Sequence, residues 1–197
     1  MSKKKKPKKK SKKKDWSEAL IKAVWPQERD FFERPERYRY VRKLLPPNKN
    51  CVFCVAGKAS GKADYSPDTL VLYKGPHCMV LMNKYPYNSG HLLVMPRAHV
   101  ANIWDLDAEV TANVAEWLKI STRILKEAFN CPGFNLGLNH GAVAGAGIPD
   151  HLHWHIIPRW AGDVNFFPLI AETKVLAETL ESAYNRLLPL FEKEVGR

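Results

Sequence analysis

Three histidines alternate with apolar residues in the segment His151-Leu152-His153-Trp154-His155-Ile156-Ile157. A strand turns successive side chains to opposite faces. His151, His153 and His155 are therefore expected on one exposed strand face, with Leu152, Trp154 and Ile156 in the core. Aligned imidazoles suit two chemistries. One is a metal site with three His ligands. The other is nucleophilic catalysis on phosphorus: one imidazole forms a phosphoramidate while its neighbours donate to phosphate oxygens or to the leaving group. The preceding run, Asn139-His140-Gly141-Ala142-Val143-Ala144-Gly145-Ala146-Gly147, consists mostly of small residues. Such a loop brings backbone N–H groups close to an anion, which favours phosphate.

A second group is Cys51-Val52-Phe53-Cys54, a C-x-x-C pair. Its spacing suits one corner of a tetrahedral metal site, a reduced pair without metal, or a redox motif. Cys78, in an expected strand, and Cys131, after an expected helix, are read as small buried apolar residues. Four cysteines in 197 residues do not make a disulfide scaffold.

The elements that must position these residues follow from periodicity and punctuation. Strands are predicted over 70–74, 77–83 and 91–95, the first two joined by a turn at Gly75-Pro76 and the third stopped by Pro96. Apolar residues Val110, Val114, Trp117, Leu118, Ile120, Ile124 and Leu125 recur at helical spacing, predicting a helix over 108–130 of about six turns. Further strands are predicted over 134–138 and 151–157, loops over 57–62 and 141–147, and a last helix over 174–188. Strands in meander order with a long helix before the last two indicate an α+β fold, an antiparallel sheet with helices packed on one face.

Charge is unevenly distributed. Lys and Arg total 31 against 20 Asp and Glu, a net charge of +11, but ten lysines stand among residues 3–14. Without them 21 basic residues face 20 acidic ones, so the basicity belongs to the tail and not to the domain. Residues 1–14 read as a disordered Lys-rich tail capable of weak contact with a polyanion. Residues 15–49 read as an N-terminal helix over 18–25, capped by Asp15 and stopped by Pro26, followed by an extended arm. The remainder, with 45% hydrophobic and 11% aromatic residues chain-wide, is long enough for one domain with a real core. No apolar run approaches the roughly 20 residues of a membrane helix, and no apolar segment follows the basic start, so a cytoplasmic location is expected.

The segment N-x-G…A-G…H-L-H-W-H-I-I-P-R resembles the histidine triad superfamily of nucleotide hydrolases and transferases. Residues 83–96, NKYPYNSGHLLVMP, are similar to that superfamily's nucleoside-binding region, and Cys51 and Cys54 stand where many members carry a zinc-binding pair. The stretch 158–168, PRWAGDVNFFP, is similar to the branch that contains bacterial diadenosine-tetraphosphate phosphorylases and related hydrolases. The resemblance covers residues 50–190 and makes 50–197 a histidine triad domain.

It implies the following. His153 is the nucleophile, attacking an α-phosphate to form a nucleotidyl-histidine. His155 interacts with phosphate oxygens or the departing group, and His151 supports the triad. Asn83 contacts ribose; Asn139 and the Gly145, Ala146 and Gly147 backbone face the phosphates; Trp160 forms a wall or donor over them. Structural zinc would take Cys51, Cys54, His99 and His151, and no organic cofactor is expected. The substrates implied are a dinucleoside polyphosphate and inorganic phosphate, giving ATP and ADP, or water in place of phosphate. Nucleoside phosphoramidates are an alternative substrate, and a nucleotide- or RNA-binding module an alternative of another class. A homodimer or higher homo-oligomer is implied as well. One departure stands out: Ala146 and Gly147 replace the Gln and Ser or Thr of several members, and the loop is one residue longer. That either leaves room for phosphate or shifts the leaving-group site.

Overall fold

A computed structural model describes residues 50–58, 69–163, 176 and 178–196. The Lys-rich tail, the helix expected over 18–25, the arm up to residue 49 and residues 59–62 of the expected loop lie outside the described residues. The described chain runs α1 (Val52–Lys58), β1 (Val71–Lys74), β2 (Cys78–Met82), β3 (Leu92–Pro96), α2 (Ala108–Phe129), β4 (Gly133–Leu138), β5 (Trp154–Arg159) and α3 (Leu180–Val195). All strand pairs are antiparallel and the sheet order is β1-β2-β3-β5-β4. The meander therefore holds only through β3. After α2 the chain returns at the sheet edge as β4, and β5 fills the gap beside β3. This places the histidine strand inside the sheet.

Every residue of β2 and β3 is buried, because both faces of the sheet are covered. On one face Leu72, Val80, Leu92, Val94 and Ile156 pack with Val114, Trp117, Ile124 and Leu125 of α2 and with Tyr184, Leu187 and Phe191 of α3. On the other, Val71, Met79, Leu81, Leu93 and Met95 pack against Phe53 of α1. The two long helices share one face, as the α+β reading expects. The short α1 covers the opposite face and takes up Gly57 and Lys58, which the sequence places in a loop. Cys78 and Cys131 lie in the α2–α3 core, as expected; burial pushes the Cys78 thiol up to about 12 and so keeps it protonated. Among the described residues no helix is long and apolar enough to cross a membrane.

The helix ends have local causes. Asn130, left-handed at φ 46°, closes α2 just ahead of Pro132. Helix α3 starts later than residue 174, where Thr179 Oγ1 accepts the Ser182 N–H at 3.1 Å. It also runs past residue 188, with Pro189 inside it. Proline removes one backbone hydrogen bond there. Burial of Leu187 and Phe191 on either side, with Phe191 stacked 6.1 Å from Trp117, holds the next turn in place.

The loop from β2 to β3 turns at Gly90, whose left-handed φ of +71° glycine adopts without strain. A Cβ there would meet the Phe129 ring at 2.9 Å and Leu125 at 3.2 Å. Gly90→Ala is expected to cost about 2–4 kcal/mol from left-handed strain plus overpacking, read by urea unfolding. A cost under about 0.5 kcal/mol would show that the turn yields freely.

Candidate active site and metal centre

The nucleophile expected from the sequence is held by one hydrogen bond. His153 Nδ1 lies 2.8 Å from the His151 carbonyl oxygen. A carbonyl only accepts, so Nδ1 carries the proton and donates it. The lone pair is thereby fixed on Nε2. Burial lowers the His153 pKa, keeping the imidazole neutral and nucleophilic near pH 7. Phe53 packs against this ring at 5.1 Å and against that of His151 at 5.4 Å.

His155 is set by a second chain of bonds. The Tyr87 backbone N–H donates to His91 Nδ1 at 3.0 Å. His91 must then carry its proton on Nε2, which lies 2.9 Å from His155 Nδ1. That nitrogen accepts, so the His155 proton sits on Nε2. His155 Nε2 is buried, and among the described residues it has no hydrogen-bond partner. Burial, helped by His153, pushes the His155 pKa down to about 4. The result is a neutral N–H donor close to His153, with ring centroids 5.1 Å apart. Sequence reasoning placed His91 only within the 83–96 segment and assigned it no chemistry of its own. Its signal was there: a histidine at the mouth of an all-apolar strand, fully buried here, requires partners.

His151 serves both groups of residues. Its Nε2–H donates to the Pro96 carbonyl at 3.0 Å, leaving Nδ1 as a lone pair. Around Nδ1 stand Cys51 Sγ at 3.4 Å, Cys54 Sγ at 3.6 Å and His99 Nδ1 at 3.3 Å. Cys54 Sγ lies 3.3 Å from His99 Nδ1, and all four ligand atoms fall within 4.8 Å of one another. A tetrahedral zinc with ordinary bond lengths has edges of roughly 3.3 Å between two nitrogens and 3.6 Å between nitrogen and sulfur. The donor set and spacing fit such an ion, and the Pro96 carbonyl supplies the outer contact that fixes the ligand tautomer. Without a cation, burial and the adjacent Cys51 raise the Cys54 pKa. An ion there would hold both thiolates and brace residue 151.

The histidines are less exposed than the sequence implies. Strand β5 begins at Trp154, so His151 and His153 precede it, bonded through Leu152 N to Val100 O at 2.8 Å instead of to a strand neighbour. His151 is 0% and His153 5% exposed. Alternation survives within β5: His155 pairs with Leu93 on the α1 face and Ile156 with Leu92 on the α2 face. Leu152 and Ile156 are buried and Trp154 packs on the α2–α3 core, as expected.

The other expected contacts spread out. Asn83 lies beside the site, with Oδ1 accepting Tyr85 N–H at 2.9 Å and Nδ2 3.4 Å from His91 Nδ1. The small-residue loop forms a 3-10 turn over Ala142–Ala144 between Gly141 and Gly145. The N–H groups of Gly145 and Ala146 bond the carbonyls of Ala142 and Gly141 at 3.0 and 3.3 Å, so they point into the loop and not toward an open cradle. Gly147 is exposed, and Asn139 Nδ2 lies 4.0 Å from where a Gly145 side chain would begin. Trp160 packs against the α2–α3 core, across the sheet from His155, and its N–H donates to Asp163 at 3.1 Å. That position does not match a wall over the phosphates.

The lowered histidine pKa has a stability consequence. Between the unfolded value near 6.5 and the folded value of about 4, the unfolded chain binds more protons at His155. Stability therefore falls as pH falls through that window. The melting temperature is expected to drop from pH 7 to pH 5, and to drop less in His155→Asn. An equal drop in both proteins would show that His155 titrates normally.

Residues 66–162 match the model of the HIT domain. The chain is 39% identical over 119 residues to the AP-4-A phosphorylase of Mycobacterium tuberculosis, a match that covers 60% of each protein. It is 31% identical over 115 residues to an uncharacterized HIT-like protein of Methanocaldococcus jannaschii, covering 57% of this chain and 81% of that one. A solved Zn-bound histidine triad family protein from Mycobacterium smegmatis superposes with a TM-score of 0.56 at 23% identity. That alignment covers 75% of this chain and 96% of the other, a likeness of fold. With its five-stranded antiparallel sheet and its histidine segment beside β3, the chain belongs to the HIT family.

Proposed function

We propose that this protein cleaves dinucleoside polyphosphates by nucleotidyl transfer through His153, with inorganic phosphate as acceptor. The observation that carries this reading is the bare, neutral Nε2 of His153 beside the His155 Nε2–H donor. Similarity to the mycobacterial AP-4-A phosphorylase supports the substrate class. On diadenosine tetraphosphate, His153 Nε2 bonds to an α-phosphorus and the bridging P–O bond opposite it breaks, releasing ATP. The His155 N–H donates to a phosphate oxygen as charge builds there. A phosphate oxygen then attacks the same phosphorus, the P–N bond breaks, its electron pair returns to Nε2, and ADP leaves. Water in place of phosphate gives AMP.

The acceptor is decided by products. Incubation with labelled phosphate is expected to place label in ADP, with little AMP; AMP alone, with no label taken up, would make the protein a hydrolase. His153→Ala is expected to lower turnover by about 10³-fold or more while nucleotide binding persists. Retained turnover would remove His153 from the chemistry and favour a binding module.

The four-donor cluster is proposed to hold a structural zinc ion. About one zinc per chain is expected by elemental analysis, and Cys51→Ser should lose it together with about 5 °C or more of melting temperature. A zinc-free wild-type protein with the same melting temperature as Cys51→Ser would oppose this.

A further inference from the structure

We infer that Asn88, clamped by the Arg159–Asp163 ion pair, positions the His91–His155 pair and sets its tautomers. The inference deepens the reading above, since it concerns how the proposed donor is kept in its working form.

Asn88 sits in the loop between β2 and β3 and is 7% exposed. Its Nδ2 donates to the Pro158 carbonyl at 2.9 Å and to Asp163 Oδ2 at 2.8 Å, so both amide hydrogens are engaged. The Asn88 carbonyl accepts the His91 N–H at 3.2 Å, closing the turn at Gly90. The residue before Asn88 is Tyr87, whose N–H fixes His91 Nδ1 as an acceptor. Asp163 cannot rotate away from this arrangement. Arg159 Nε and Nη2 grip Oδ2 and Oδ1 at 2.7 Å each, and Trp160 N–H adds a third donor. Arg159 Nη1 reaches Asn135 Oδ1 on β4. The knot thus ties the loop to the ends of β5 and β4 on the histidine face of the sheet.

Two arrangements of the histidine pair are open to hydrogen bonding. With Tyr87 N–H in place, protons sit on His91 Nε2 and His155 Nε2. If the loop shifts and Tyr87 releases His91, the His91 proton can move to Nδ1. His91 Nε2 then accepts, and the His155 proton must move to Nδ1 to bond it. That second arrangement leaves His155 Nε2 with a lone pair beside the lone pair of His153, and the donor is gone. Asn88, Asp163 and Arg159 act by holding the loop in the first arrangement.

The test uses the full-length chain, in wild type, Asn88→Ala and Asp163→Asn, with three readouts. Imidazole ¹⁵N shifts report which nitrogen of His91 and His155 carries the proton, without any substrate. Steady-state kinetics on diadenosine tetraphosphate separate kcat from KM, and thermal melts report folding. Wild type is expected to show both histidines protonated on Nε2. Each folded variant is expected to show averaged tautomers and a kcat lower by about tenfold or more, with KM within about twofold. Wild-type tautomers in a folded variant would overturn the inference, as would averaged tautomers with unchanged kcat. If Asn88→Ala does not fold, Asp163→Asn decides; failure of both to fold would assign the knot to stability alone and overturn the inference. A wild-type enzyme inactive on the substrate would sink the proposed function, while the ¹⁵N shifts still judge the positioning.

Discussion

The 2.8 Å hydrogen bond from His153 Nδ1–H to the His151 carbonyl governs everything the site can do. A histidine presents its lone pair on either nitrogen unless something fixes the other. Here a backbone oxygen fixes it, and burial removes the competing protonated form. The bond depends in turn on where residue 151 is held. Its side chain is anchored twice, through Nε2–H to Pro96 O and through Nδ1 among Cys51, Cys54 and His99. Backbone and side chain of one residue therefore couple the four-donor cluster to the proposed nucleophile. The coupling is short, running through the covalent frame of residue 151 and one hydrogen bond to His153.

The donor half of the site is built on the opposite plan. His155 lies inside β5, paired with Leu93 and Gly137, and the sheet fixes its backbone. Its tautomer is set from the β2–β3 loop, through Tyr87 and His91. The strand order explains why this is available. With β5 beside β3, His91, the residue just before β3, meets β5 directly; a simple meander would have placed β4 between them. The crossover through α2 is therefore part of what makes the site.

Much of this was legible in the residues, and the misses have physical causes. Alternation in HLHWHII separated the chemical face from Ile156 and Trp154 because the period of a strand is independent of context. Cys51, Cys54, His99 and His151 were identified as one set by resemblance, and folding brings them within 4.8 Å. The order of β4 and β5 was not legible, since pairing across α2 depends on long-range packing that no local pattern encodes. Helix α1 was missed because seven residues carry little periodicity, and its one buried large side chain, Phe53, is held by the sheet. The last helix was expected only to 188; it continues through Pro189, which local propensity opposes, because Phe191 is buried beyond it. Composition pointed to the small-residue loop and the resemblance to the backbone of Gly145, Ala146 and Gly147 as facing phosphate, whereas the loop's own carbonyls bond the Gly145 and Ala146 amides. The Asn88–Asp163 bond joins residues 75 positions apart, and nothing in either neighbourhood announces it.

The proposed reaction turns on a covalent bond formed at His153 Nε2. Rapid mixing with diadenosine tetraphosphate in the absence of phosphate, quenched in alkali to preserve a phosphoramidate and read by mass spectrometry of peptides, tests it most directly. An adenylyl group is expected on the peptide 151–159, carried by His153 and discharged when phosphate is added. A site that turns over while no adduct forms, or an adduct on His151 or His155 instead, would contradict it.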